Sequence, residues 1–202
     1  MQIDPKATAL LVIDMQNGFL HPEGTLSRDG VDVAPLREII PAVKGLVGLC
    51  RSKGIPVIWS MQEHYPQDKA REAHRITPHT MKRINIPCLK GSWDAEIIEE
   101  LKPLIEEESH IIRKQKFSCF YNTNLEVLLR ILGVNTLIMA GVMTFVCVET
   151  TARDAYMRDY DIIVVEDCVA GHDRDLHGAS LKFINLYLGM VIKSGELENM
   201  LA

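Results

Sequence analysis

At 202 residues the chain is long enough to bury a substantial core in one ordinary domain and too short for two full-sized ones. Its 47% hydrophobic and 24% charged residues exclude a disordered, collagenous or fibrous chain. A net charge of -5 supplies no excess of Lys and Arg to displace counterions from nucleic acid, so a small molecule is the expected ligand.

Apolar runs of strand type alternate along the chain with helical patterns. Ala9–Asp14 is the first such run. Pro41 suits the first turn of a helix in which Val43, Leu46, Val47 and Cys50 recur at helical spacing until Gly54. Ile55–Ser60 reads as the second strand. From Gln62 to about residue 90 the rhythm breaks into an irregular excursion rich in His and Pro, of the kind that forms a lid or an interface arm. Ser92 then caps a predicted helix from Trp93 to about Leu101, stopped by Pro103. After the strand His110–Lys114, Thr123 and Glu126 have capping-box spacing ahead of Leu125, Leu128, Leu129 and Leu132, and Gly133 closes that helix. The strand Thr136–Gly141, a helix from about Val148 to Asp159 and the strand Asp161–Val165 follow. A last helix from about Asp175 to Leu188, with Leu176, Ala179, Phe183 and Tyr187 on one face, precedes the short strand Met190–Ile192.

Most of these runs are apolar without alternation, the mark of strands covered on both faces. The strict order of strands and helices therefore predicts an α/β fold: a three-layer sandwich around a doubly wound, mainly parallel six-stranded sheet, with residues 1–202 as one domain.

The five cysteines, Cys50, Cys88, Cys119, Cys147 and Cys168, are odd in number and include no C-x-x-C pair. That usage fits reduced thiols rather than a disulfide framework or a zinc knuckle. No basic segment leads into a long apolar stretch near Met1, and no apolar run approaches about 18 residues, so neither export nor a membrane span is expected. A cytoplasmic protein is the expectation.

Open α/β sheets bind ligands beyond the carboxyl ends of their strands, which directs attention to the polar residues ending the apolar runs. Asp14 ends the first, Lys114 ends the third, and Cys147 lies just past the fourth, where a helix begins. A thiol at a helix start faces unpaired amides and the positive end of the dipole, which favour thiolate. Asp14 is suited to take the thiol proton and return it to a leaving amine, and the turn Gly141–Cys147 to supply N–H donors to an oxyanion. Singly, each residue has a plainer reading: a turn carboxylate, a surface lysine, a small buried hydrophobe. Together at one sheet edge they describe acyl transfer. Cys50 and Cys168 read as packing residues, and Cys119 as a neighbour of the site. His172 and His177 beside Asp173 and Asp175 suggest a metal, but an acidic first helical turn explains the carboxylates more simply.

Three segments resemble the isochorismatase-like cysteine hydrolases, in that family's order and across nearly the whole chain: Leu11-Val-Ile-Asp14-Met-Gln16-Asn-Gly-Phe19, Lys114-Gln-Lys-Phe117-Ser-Cys-Phe-Tyr-Asn-Thr123 and Gly141-Val-Met-Thr144-Phe-Val-Cys147-Val-Glu-Thr-Thr-Ala-Arg-Asp-Ala155. The resemblance implies a catalytic triad of Asp14, Lys114 and Cys147, a cis peptide between Val142 and Met143, and an oxyanion hole of the Met143 and Cys147 backbone N–H groups. It implies no cofactor, and a homodimer or homotetramer. Where nicotinamidases carry an Asp-x-His metal motif, this chain has Glu63-His64-Tyr65, so no metal is expected. A metal would otherwise draw on Glu63, His64, His74 or His79. The likeness is nearest to the N-carbamoylsarcosine amidase and ureidoacrylate amidohydrolase type. It implies a cysteine-dependent amidohydrolase acting on a small amide, ureido or carbamoyl compound, with Gln16, Phe19, Gln62, Phe117 and Thr144 as substrate-binding candidates. Arg75 or Arg83 would hold a substrate carboxylate. The alternatives are nicotinamidase-type amide hydrolysis, isochorismatase-type vinyl ether hydrolysis, and a non-catalytic binding protein on the same fold.

Overall fold

In the computed structural model, which describes residues 2–68, 85–106 and 109–201, the apolar runs become the six strands of one sheet. These are β1 (Thr8–Ile13), β2 (Val57–Gln62), β3 (His110–Lys114), β4 (Thr136–Val142), β5 (Asp161–Ala170) and β6 (Met190–Ile192). Every neighbouring pair is parallel, in the order β3-β2-β1-β4-β5-β6. The chain winds outward from β1 to β3, returns across β1 to β4, and winds outward again. The boundary between β1 and β4 is therefore the switch point, where a crevice opens at the carboxyl ends of the strands. The register brings those ends level, with Ile13 beside both Ser60 and Gly141, and Gln62 beside Lys114.

Both faces are covered, as the unbroken apolar runs require. Leu10 and Val12 of β1 point to one face, where Val43, Leu46 and Val47 of α1 (Ile40–Ser52) meet them. Ala9, Leu11 and Ile13 point to the other, against α2 (Leu125–Ile131), α3 (Glu149–Tyr156) and α4 (Arg174–Tyr187). The short α5 (Ser194–Met200) places Leu197 on the α1 side. All six residues of β1 are buried, and burying each large aliphatic side chain contributes about 1.5–3 kcal/mol, so the strand that leads into Asp14 is firmly anchored. α1 ends as its sequence indicates: Gly54 takes φ 73° and the Ile55 amide donates to Cys50 O at 2.9 Å. Among the described residues no helix is long and apolar enough to cross a membrane.

Local expectations fail where tertiary contacts outbid helix signals. The helix predicted from Trp93 to Leu101 shrinks to a single turn at Trp93–Ala95, and Glu96 is extended (φ -74°, ψ 151°). The segment bonds to the loop after β1 instead. Ile97 bridges Gln16, the Ile98 amide donates to Met15 O and the Asn17 amide to Glu96 O, both at 2.9 Å, and Ile97, Ile98 and Leu101 cover that loop. The capping box does not form: Asn124 takes the cap position, Thr123 Oγ1 accepts from the Leu125 amide at 3.2 Å while its hydroxyl donates to Cys119 O, and Glu126 pairs with Arg158. In α4 the expected apolar face looks outward, with Leu176 50% and Tyr187 65% exposed, whereas Ser180, Leu181 and Ile184 pack inward. Polar bonds described below select that second stripe.

Candidate active site

The three chemistry-bearing strand ends converge at the switch point. Asp14 follows β1 directly in the left-handed region (φ 53°), a conformation Asp tolerates better than most residues, and this turns its side chain back over the strand ends. Its amide donates to Ser60 O at 3.1 Å, and Ser60 Oγ donates to Asp14 Oδ1 at 2.7 Å. Lys114 ends β3, two strands away. Its side chain crosses the end of β2 above the small Ser60 and brings Nζ to 2.6 Å from Asp14 Oδ2 and 3.3 Å from Cys147 Sγ. Nζ also donates to Gln62 Oε1 at 3.2 Å and Lys116 O at 3.1 Å, and the whole residue is 2% exposed.

Cys147 arrives on a turn built by an unusual run of backbone. Gly141 takes φ 114°, and a Cβ there would run into the backbone of Ile13, so only glycine allows β4 to approach β1 at this point. The Val142–Met143 peptide is cis. Residues Thr144–Val148 form a π turn before α3, and Met143 O accepts from the amides of Val146 (3.0 Å) and Val148 (3.2 Å), on either side of Cys147. From α4, His177 Nδ1 meets Thr144 Oγ1 at 2.9 Å and Ser180 Oγ donates to Thr144 O at 3.3 Å, which pins the turn from behind.

Burial works against the thiolate that a helix start favours. Cys147 lies within the π turn rather than on an open first helical turn, and it is 5% exposed. Burial is the largest influence on its thiol and raises the pKa well above the ordinary value; Lys114 pulls it down without overcoming burial, and Asp14 raises it further. Burial alone would lower the Lys114 pKa, but the neighbouring Asp14 and Cys147 outweigh it and the ammonium is held more tightly than usual. Burial thus favours the protonated thiol at Cys147 beside a tightly held Lys114 ammonium.

Over the thiol lies a cavity of about 780 Å³ walled largely by apolar side chains, among them Phe19, Phe117, Met143 and Phe145, with Gln62 and Cys147 at the reacting edge. Phe19, Gln62 and Phe117 are thus among the side chains that line it. Gln16 and Thr144 do not line this cavity. Gln16 is fully buried and clamps backbone: Nε2 donates to Gln62 O and Ala95 O, each at 2.8 Å, and Oε1 accepts from the Gln62 amide at 2.7 Å. Thr144 is equally buried against His177. Ser60, His177 and Ser180 are contributors that sequence reading missed. Ser60 alone had a signal, as a polar residue near the end of the second strand.

Glu63 faces Arg113 (3.6 Å) and Lys90 (3.7 Å), and His64 turns inward toward Gln62. His74, His79, Arg75 and Arg83 lie outside the described residues. Among the described residues no three His, Cys, Asp or Glu side chains gather as a metal-binding group. Asp173 caps α4, accepting from the amides of Asp175 (3.0 Å) and Leu176 (2.9 Å). Cys119 is buried behind the site, where its amide donates to Thr151 Oγ1, and Cys50 and Cys168 lie in the core facing α1.

Comparison with known proteins places these features in context. The isochorismatase domain family matches residues 8–196. The chain is 34% identical to the ureidoacrylate amidohydrolase RutB of Methylobacterium radiotolerans, over 98% of this chain and 81% of that protein. It is 37% identical, over 86% of each, to an Arabidopsis thaliana protein named a probable inactive nicotinamidase. The crystal structure of N-carbamoylsarcosine amidase from Thermoplasma acidophilum superimposes with a TM-score of 0.73 at 30% identity, covering 96% of this chain and 97% of the other.

Proposed function

This chain belongs to the isochorismatase family of hydrolases, and from that premise we propose that it is a cysteine-dependent amidohydrolase cleaving the C–N bond of a small amide, ureido or carbamoyl compound. One observation carries the reading: a buried ammonium lies 2.6 Å from a carboxylate and 3.3 Å from a thiol at the edge of a cavity of substrate size. The names of the ureidoacrylate and N-carbamoylsarcosine relatives support the same bond type.

The protonation states set the order of events. Cys147 Sγ attacks the carbonyl carbon as its proton passes to Asp14, because a raised thiol pKa makes prior ionisation unfavourable. The carbonyl π pair moves to oxygen, which the Met143 and Cys147 backbone N–H groups receive. Collapse of this intermediate breaks the C–N bond, Asp14 returns the proton to the departing ammonia or amine, and a thioester remains. Water then attacks the thioester carbonyl, gives its proton to Asp14, and expels the sulfur, which recovers that proton. Throughout, Lys114 holds Asp14 in place and balances the charge that moves between oxygen and sulfur.

The test is ammonia release across ureido acids, carbamoyl amines, biuret-like compounds and nicotinamide, with Cys147→Ala as the blank. Turnover by the wild type, absence of turnover by Cys147→Ala, and an acyl mass on the wild-type chain after rapid quenching are expected. Undiminished turnover in Cys147→Ala overturns the mechanism. Turnover confined to nicotinamide selects the nicotinamidase reading, and the absence of any turnover selects a non-catalytic protein. The exposed Leu176, Leu186 and Tyr187 on α4 support assembly as a homodimer or homotetramer, which a monomer mass by light scattering would refute.

A further inference from the structure

Behind the cavity, Gln62, His64 and Asp68 form a buried polar chain that the mechanism above does not use. Their exposures are 4%, 3% and 7%. Chemistry fixes how the chain must be read. Lys114 Nζ is a donor with no acceptor capacity, so the Gln62 atom 3.2 Å from it is the carbonyl oxygen. The other end of the amide, an NH₂ that can only donate, is 2.8 Å from His64 Nε2. That nitrogen therefore presents its lone pair, and the imidazole proton sits on Nδ1, which faces Asp68 Oδ2 at 3.4 Å. Asp68 Oδ2 is in turn oriented by the Tyr65 amide at 3.0 Å.

The backbone around this chain is held independently. Gln16 grips both the N–H and the C=O of Gln62. His64 is fixed by its amide donating to Cys88 O at 2.9 Å and by its carbonyl accepting from Lys90 N at 2.8 Å. The one freedom left to Gln62 is rotation of its amide, and rotation would set NH₂ against an ammonium and a carbonyl against a nitrogen lone pair. Both contacts would be repulsive.

We infer that His64, backed by Asp68, is a positioning residue that locks the Gln62 side-chain carbonyl toward Lys114 and Cys147, where it accepts the N–H of the scissile amide or ureido group. A carbonyl has two lone pairs. One accepts from Lys114, and the other, on the side where the cavity opens, accepts from the Cys147 thiol at 3.8 Å until that proton leaves and the substrate N–H takes its place. The inference rests on the amidohydrolase reading and deepens it: it makes the substrate an N–H-bearing amide, recognised at its nitrogen.

The test pairs variants with substrates. His64→Gln sets an amide oxygen near the place of Nε2, whereas His64→Leu removes the acceptor. For an amide with a scissile N–H, His64→Leu is expected to lower kcat about tenfold to a hundredfold while His64→Gln recovers most of the rate. For the p-nitrophenyl ester of the same acyl group, which has no N–H on the leaving group, both variants should stay within about twofold of wild type. Equal losses on amide and ester, or no rescue by His64→Gln, overturn the inference. A readout independent of turnover separates this failure from failure of the amidohydrolase reading: the ¹⁵N spectrum of the histidines in the intact wild-type protein. A protonated Nδ1 and a bare Nε2 on His64 are expected even if no substrate is found. A protonated Nε2 overturns the inference even if the enzyme is active.

Discussion

Replacing Lys114 with Met tests the centre of the argument, because it removes the cation and keeps the length of the side chain. At 2.6 Å and an effective dielectric constant of about 20, the Asp14–Lys114 attraction amounts to about 6 kcal/mol, much of it offset by the desolvation of both charges. Removing one partner strands the other, and a stranded buried charge typically costs about 3–5 kcal/mol. In a chain of 202 residues that corresponds to a fall in Tm of about 10 °C. Asp14 also loses the cation that holds it in place to accept the proton of Cys147, so ammonia release should drop by about a thousandfold. The double variant Asp14→Asn/Lys114→Met buries no lone charge. It should be more stable than the two single variants predict together, by about 2 kcal/mol, and equally inactive. Guanidinium unfolding of the four proteins measures the coupling, and ammonia release measures the chemistry. A Lys114→Met protein that unfolds with the wild type, or a coupling of zero, would refute the buried pair; retained turnover would refute its role.

Further outcomes follow from the same geometry. Ser60→Ala removes the 2.7 Å bond to Asp14 Oδ1 and should lower kcat about tenfold with little change in KM, as steady-state kinetics would show. Gly141→Ala forces a Cβ into the backbone of Ile13 at φ 114°, and the protein should lose several kcal/mol or fail to fold, read by circular dichroism. The alkaline limit of stability should be set by buried thiols. Burial pushes Cys50 and Cys168 up to about 12, from 9.0 for an ordinary thiol. Below pH 9 folded and unfolded chains hold the same thiol protons. Above it the unfolded chain releases protons the folded chain keeps, so stability falls by about 1.4 kcal/mol per thiol per pH unit until about pH 12. Under reducing conditions Cys50→Ala/Cys168→Ala should flatten the decline in guanidinium midpoint between pH 9 and 11; an unchanged slope would count against this account.

The strands were legible because a residue buried on both faces leaves an unbroken apolar run, a signature that depends on few distant contacts. The helix expected at Trp93–Leu101 was misread for the opposite reason. Ser92 is placed to cap and Ile97, Ile98 and Leu101 have helical spacing, but the loop after β1 offers Met15 O as an acceptor for the Ile98 amide and the Asn17 amide as a donor to Glu96 O, and covering that loop buries the same side chains. In α4 two apolar stripes compete within the sequence. The one carrying His177 and Ser180 faces inward because those polar atoms bind Thr144, a residue 33 and 36 positions away. No local pattern encodes such a choice.

The site divides along the same line. Asp14, Lys114 and Cys147 could be found because a parallel sheet sets the carboxyl ends of its strands in one row, so polar residues that end apolar runs converge whatever lies between them. His64 and His177 act through contacts made across that row and leave no such mark, and Ser60, a polar residue near the end of an apolar run, shows its role only through its bond to Asp14. At Cys147 the position along a helix supplies one electrostatic influence, and burial supplies a larger one of opposite sign. That reversal bears on specificity as well as on mechanism. A thiol that ionises only as it attacks needs Asp14 correctly charged and a carbonyl correctly placed at the same instant. The groups that hold Asp14 and aim Gln62 therefore act on the reacting state, and their removal should appear in kcat before it appears in KM.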